Sequence, residues 1–387
     1  MNNQEPTRKM AFIDYVPHII FLLFFALITF LLFWNEVYYI HKKRSIREAE
    51  RVVVKVDDVS VVDPALDGKL IHASALADTK EVLTDGVYGI SEKVICLNRE
   101  VEYYQYEERS STDDDGDTHY SYHKEWVSHP ISSRNFESSY YTNFVLVRIE
   151  PKAVYAQDVR FGGYRLPKFI LESIDGNVPA EVKLSGDELL QWEKVIAGNV
   201  QTLGLPETGG VPMVHVNGNV VYYGRSPSDP SVGDVRVTLT KIPPLQLSIL
   251  AKVNGDTFEK YTTESGKTFS PVRRGTVTAE YMFTDAHLDN MLQLWGFRLI
   301  GIVLAIFAWR PMFSVLPDLL KSDFLESLRK AGFKAFRRVM GFVWTFFVIA
   351  IAWVRYSPPV TLVMLAFVAI GLWYLQRKGK KAEIYGL

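Results

Sequence analysis

Between Tyr103 and Trp126 the sequence reads YYQYEERSSTDDDGDTHYSYHKEW, which places four aspartates around one glycine at Asp113-Asp114-Asp115-Gly116-Asp117. Alternating carboxylates followed by a turn glycine are what a calcium loop requires. Aligning Gly116 to the sixth position of such a loop puts Ser111, Asp113 and Asp115 at the first, third and fifth, but Tyr122 where a bidentate glutamate belongs. The strongest ligand is missing, and the flanks read as strands, not helices. Asp115-Gly116 is instead a hairpin turn signal joining two tyrosine-rich arms, EYYQYEE and YSYHKEW.

The other chemistry-bearing residues weigh the same way. His119 and His123 would share a helical face, but in a strand their Cα atoms stand about 13 Å apart, too far for one ion. Asp14 and His18 have the i, i+4 spacing of an ion pair at the mouth of an apolar run. Glu102, Glu107, Glu108 and Glu125 could pair carboxylates across the hairpin, but no nucleophile accompanies them. Gly233-Asp234 and Arg236 read as a turn glycine, its polar neighbour and a strand arginine. No phosphate loop, metal helix or nucleophile elbow occurs, and the lone Cys96 forms no intrachain disulfide. The expectation is a protein without catalytic, cofactor-binding or metal-binding residues. With 43 Lys and Arg against 44 Asp and Glu, no nucleic-acid partner is indicated.

Four apolar runs would have to hold whatever these residues do. Val16–Trp34 is long enough to cross a hydrocarbon core of about 30 Å and lacks a small-residue cleavage site, so it reads as a retained anchor. Further runs occupy 291–310, 339–354 and 360–376, with Trp34, Trp295, Trp309, Trp353 and Trp373 near the ends. Arg298 lies one turn inside the second run and, with no acid inside any run, is expected to snorkel to the interface. Thirteen basic residues flank the runs on the side expected to be cytoplasmic, in the 1–15 segment, in Arg310 with the 311–338 segment, and in the 377–387 tail. Lys42, Lys43, Arg44, Arg47 and Arg51 dissent from the opposite side. The 311–338 segment, with Leu319, Phe324, Leu325, Leu328, Phe333 and Phe336 among basic residues, is expected to lie as an amphipathic helix in the interface.

Residues 35–290 would then face away from the cytoplasm. They begin as a helical extension and turn strand-like at Val52. Alternating runs KLIHAS, EKVICL, VEYYQYEE, THYSYHKEW, FVLVRIE, VHVNGNVVYYG, DVRVTLTKI and LSILAKV predict an antiparallel, mainly β domain. Helices are predicted from Gly186 to Val195 and from Ala279 to Asn290, the latter leading into the second run. DPALDGKLIHASA and DPSVGDVRVTLTK hint at an internal repeat. The fold class is a multipass α-helical membrane protein of four transmembrane helices, with a large mainly β (α+β) extracytoplasmic domain between helices 1 and 2.

In that order the stretches Asn35-Glu36, GKLIH, REVEYYQYEE, YSYHKEW with SSRNF, FGGYRLP, YYGRSPSDPSVGDVRVTL and LWGFRLIG make the chain resemble the LUMA family, known as the transmembrane protein 43 family. The resemblance implies a multipass protein of the lipid bilayer that organises membrane complexes, self-associates and binds other membrane proteins through its large extracytoplasmic domain. In animals it implies the endoplasmic reticulum and inner nuclear membrane, with lamins and emerin as partners, and an ion-channel or transporter role is the alternative. The large loop contains no Asn-x-Ser/Thr acceptor, which is compatible with a bacterial member whose domain would be periplasmic. In a eukaryote the domain would be lumenal.

Overall fold

The computed structural model describes residues 12–113, 116–206, 211, 213–320 and 323–385, apart from the side chains of 12–19, 21, 310–320, 323, 325, 326 and 385. Its helices are α1 (Phe12–Val52), α2 (Lys168–Leu171), α3 (Gly186–Thr202), α4 (Ala279–Leu320), α5 (Asp323–Arg329), α6 (Phe333–Trp353) and α7 (Pro358–Tyr385). The chain forms two units: a helical one, comprising residues up to Val52, Thr262–Phe269 and Glu280 onward, and a β one, Val53–Tyr261 with Ser270–Ala279.

In the helical unit α1, α4, α6 and α7 are long and apolar enough to cross a membrane. At 41 residues α1 is about 60 Å long, twice a hydrocarbon core, so it extends well past the apolar run. The predicted 279–290 helix and the second run are one continuous helix, α4. Small residues allow the helices to approach: a Cβ on Gly341 would lie 2.5 Å from Ile306 Cγ1, and one on Gly301 would lie 2.2 Å from Leu32 Cδ2. Between them Phe25 packs edge-on to Trp309 at 5.5 Å and against Trp344 at 5.0 Å, while Trp344 Nε1 donates to Thr29 Oγ1 at 2.9 Å.

The 311–338 segment is not one interfacial helix. Its first part continues α4, α5 follows, and Gly332, at φ 88°, breaks the chain before α6. Leu328 and Phe336 are fully buried among Trp309, Met340 and Leu375, so they serve the helix packing and not a lipid surface. Phe324 and Phe333 remain exposed, and the Leu319 and Leu325 side chains lie outside the described residues.

The β unit holds two seven-stranded sheets. In the first, Leu70–Thr79 pairs with Val159–Phe161, which pairs with Tyr164–Arg165, then Thr257–Glu259, then Leu245–Asn254, which returns to Leu70–Thr79. The ring of pairings closes, and two of this sheet's pairings are parallel: Val54–Val56 with Leu70–Thr79, and Thr257–Glu259 with Tyr164–Arg165. The antiparallel expectation is corrected at those two places. In the second sheet the order runs Val214–Asn217, Val220–Tyr223, Val235–Ile242, Cys96–Thr112 and Thr118–Val127, with Lys152–Tyr155 and Val178–Pro179 attached to its side. The two Asp-Pro stretches lead into different sheets and do not repeat a unit.

FVLVRIE, predicted as a strand, enters no ladder over 144–150. Side chains take its carbonyls instead: Gln105 Nε2 donates to Phe144 O at 3.1 Å, Asn199 Nδ2 to Leu146 O at 2.7 Å, Tyr103 Oη to Ile149 O at 2.9 Å and Arg99 Nε to Glu150 O at 3.0 Å. At α3, Ser185 and Glu188 form a reciprocal capping box, and the helix buries Ile196 and Val200 in the core shared by both sheets.

Candidate functional site

The acidic tip is a turn. Asp113 N–H donates to Asp117 O at 2.9 Å and Gly116 N–H to Asp113 O at 3.2 Å, with Gly116 at φ 92°, while Asp114 and Asp115 lie outside the described residues. His119 sits 3.1 Å from an Asp113 carboxylate oxygen on the exposed hairpin, and His123 stands opposite Glu107 in the ladder. The arms are joined by Tyr104 facing Trp126 at 5.2 Å, and Tyr141 from outside the hairpin touches both, stacked on Tyr122 at 3.8 Å and edge-on to Tyr106 at 5.0 Å. Each of the four glutamates singled out on the hairpin has a partner, and two of them have the same one. Glu102 takes Arg236, Glu107 and Glu125 share Arg109, and Glu108 accepts from the Tyr122 hydroxyl and the Glu137 N–H. Asp14 and His18 fall on α1 with side chains outside the described residues.

In the β unit two buried polar groups sit where the sequence showed only strand ends. Arg99 Nη1 lies 2.9 Å from both oxygens of Asp85, below the ring of Tyr88, whose hydroxyl meets that of Tyr223 at 3.1 Å. Burial pushes both phenols well above the usual tyrosine range. They stay protonated at neutral pH and cannot act as bases there. Asp234 accepts from the Tyr222 hydroxyl and from Ser231 N–H at 2.8 Å. Burial raises its carboxyl above the usual aspartate range, opposed by those two donors. Gly224 admits this carboxylate, since a Cβ there would lie 2.3 Å from Asp234 Cγ. Cys96 is buried and its thiol raised by burial, the state of an unreactive cysteine.

The most demanding group lies in the helical unit. Arg298 on α4 grips Glu36 on α1 side-on, Nε to Oε1 at 2.6 Å and Nη2 to Oε2 at 2.7 Å, and Trp353 Nε1 on α6 donates to Oε2 at 2.7 Å. Glu36 is fully buried, and the guanidinium lies 4.9 Å from the Trp295 ring. Around the pair, Asn35 Nδ2 donates to Leu294 O at 3.4 Å and Asn290 Nδ2 to Tyr39 O at 3.2 Å, tying the same two helices. Arg298 therefore does not snorkel. Its acid sits just beyond the first apolar run, and because α1 and α4 run antiparallel, the start of one meets the end of the other at equal depth. The signal was in the sequence as Asn35-Glu36 just after one run and Arg298 inside the next.

A carboxylate holding three donors inside a closed helix contact is suited to fixing register, and less to passing a proton. Among the described residues no three His, Cys, Asp or Glu converge to hold a metal ion.

A family model described as Transmembrane protein 43 matches residues 101–358. Transmembrane protein 43 of Mus musculus is 27% identical over 358 residues, covering 87% of this chain and 84% of that protein. The protein of that name in Homo sapiens is 26% identical over 358 residues with the same coverage, and the Drosophila melanogaster homolog is 26% identical over 289 residues, 71% of each chain. No solved structure matches.

Proposed function

The chain belongs to the transmembrane protein 43 family and is an integral membrane protein, and on that basis we propose that it is a non-enzymatic scaffold that organises membrane protein complexes by self-association and partner binding. The observation that carries this reading is the edge of the second sheet. Thr118–Val127 is a ten-residue strand that, among the described residues, pairs only with Cys96–Thr112. A strand of that length with one edge unpaired is a template for a strand from another chain. Arg298, on which a conducting path would rest, is neutralised by Glu36, and this favours the scaffold over the channel reading.

Light scattering on the full-length protein extracted in mild detergent is expected to give a mass above that of one chain, with membrane proteins co-purifying. A strict monomer without partners would overturn the scaffold.

On this reading the β unit faces the extracytoplasmic side, which the basic flanks of the other segments support by outnumbering those after the first run. Tyr140 is highly exposed and the single native cysteine is buried, so a Tyr140→Cys variant offers one accessible thiol. A membrane-impermeant maleimide should label it in intact spheroplasts or, for a lumenal domain, only after the organelle is opened. Labelling that requires access to the cytoplasmic face would reverse the orientation.

A further inference from the structure

Five basic residues follow the first apolar run, on the face where the charge rule expects few. Among the described residues Lys42, Lys43 and Arg44 form no ion pair. Lys42 Nζ donates to Gln293 Oε1 at 3.3 Å and lies 6.0 Å from the Tyr38 ring, Lys43 lies 5.6 Å from the Tyr39 ring, and the Arg44 guanidinium 4.6 Å from the Tyr356 ring. Lys267, from the Thr262–Phe269 segment of the same unit, comes to the same Tyr38 ring at 5.0 Å and also lacks a carboxylate partner among the described residues. Cations held by ring faces and amides keep their net charge.

Tyr38 is also the mouth of a groove of about 310 Å³ between α1 and α4, lined by Leu31, Trp34, Asn35, Tyr38, Gln293 and Phe297. Leu31, Trp34 and Phe297 are exposed along it, a hydrocarbon wall running from an aromatic girdle into the apolar part of both helices.

We propose that this groove binds an anionic phospholipid. One acyl chain lies along Leu31, Trp34 and Phe297, and the phosphodiester sits at the mouth beside Lys42 and Lys267. Charge selects the headgroup: two ammonium groups stand by the Tyr38 ring, and among the described residues neither forms an ion pair. A choline headgroup gains nothing here, because the Tyr38 ring that would receive a quaternary ammonium is already flanked by two lysines. The apolar wall distinguishes a lipid from free phosphate. The site also gives the dissenting basic cluster a reason to lie where it does.

The test uses full-length protein in mild detergent, titrated with dioleoyl phosphatidylglycerol or dioleoyl phosphatidylcholine and read by native mass spectrometry. The unmodified protein should retain the anionic lipid about tenfold better than the zwitterionic one. The Lys42→Gln/Lys267→Gln pair should bring the two lipids to near parity, whereas Lys183→Gln/Lys194→Gln, exposed lysines of the β unit, should leave the preference intact. Leu31→Trp, which fills the groove without changing charge, should lower retention of the anionic lipid. Glycerol 3-phosphate should not displace it. Equal retention of both lipids by the unmodified protein, a preference that survives loss of both lysines, or displacement by glycerol 3-phosphate would each overturn the assignment.

Discussion

Glu36→Ala is expected to destabilise the helical unit by about 3–5 kcal/mol, because it leaves the Arg298 guanidinium buried without its counter-charge. Two donors of Arg298 and the indole N–H of Trp353 all end on this one carboxylate, so its loss strands three helices at once. Arg298→Ala should cost a similar amount for the converse reason, an orphaned acid. The informative variant is the double one. Glu36→Leu/Arg298→Met removes both charges and keeps the volume, and a matched apolar pair in such a site is commonly as stable as the ions. It should recover most of the loss, apart from the Trp353 hydrogen bond. Thermal unfolding in detergent, followed by far-ultraviolet circular dichroism, measures all three. If Glu36→Ala unfolds like the unmodified protein, or if the double variant is no better than the singles, the pair is not a register clamp.

Why this pair escaped the sequence reading, when so much of the frame did not, is a matter of range. Hydropathy is a local sum, and it located four long apolar helices because each must bury or expose apolar surface over its whole length. Strand alternation is equally local. VEYYQYEE, THYSYHKEW and LSILAKV lie wholly in strands, and KLIHAS and DVRVTLTKI do so after their first residue. The partner of Arg298, by contrast, is 262 residues away in sequence, and only the antiparallel return of α4 along α1 brings it near.

Local pattern failed where tertiary contacts replaced it. FVLVRIE has strand composition, yet Gln105, Asn199, Tyr103 and Arg99 satisfy its carbonyls from other elements, so no ladder is needed. In the 311–338 segment the mix of apolar and basic residues suits an interfacial helix equally well, and only the break at Gly332 directs Phe336 inward. The closure of the first sheet rests on two- and three-residue strands, Tyr164–Arg165 and Thr257–Glu259, too short for any alternation to register.

The β unit has its own version of the buried charge, and Asp85→Ala should unfold it as strongly as Glu36→Ala does the helices, by about 3–5 kcal/mol. Asp85 is 5% exposed and Arg99 6%, and the carboxylate also accepts the Val87 N–H at 2.9 Å, holding the turn that places Tyr88 in the core. The Glu150 carbonyl would remain to Arg99, but a single neutral acceptor cannot offset a desolvated guanidinium. Asp85→Asn separates the two contributions. It keeps an acceptor for the turn while removing the charge, so it should fall between alanine and the native residue. Hydrogen exchange of the full-length protein reads this locally: peptides covering 83–99 should lose protection in Asp85→Ala, while those from α1 and α4 keep it. Loss of protection in the helices as well would mean that the two units unfold as one. Unchanged protection over 83–99 would mean that Arg99 finds another partner and that the ion pair is not what secures this corner of the core.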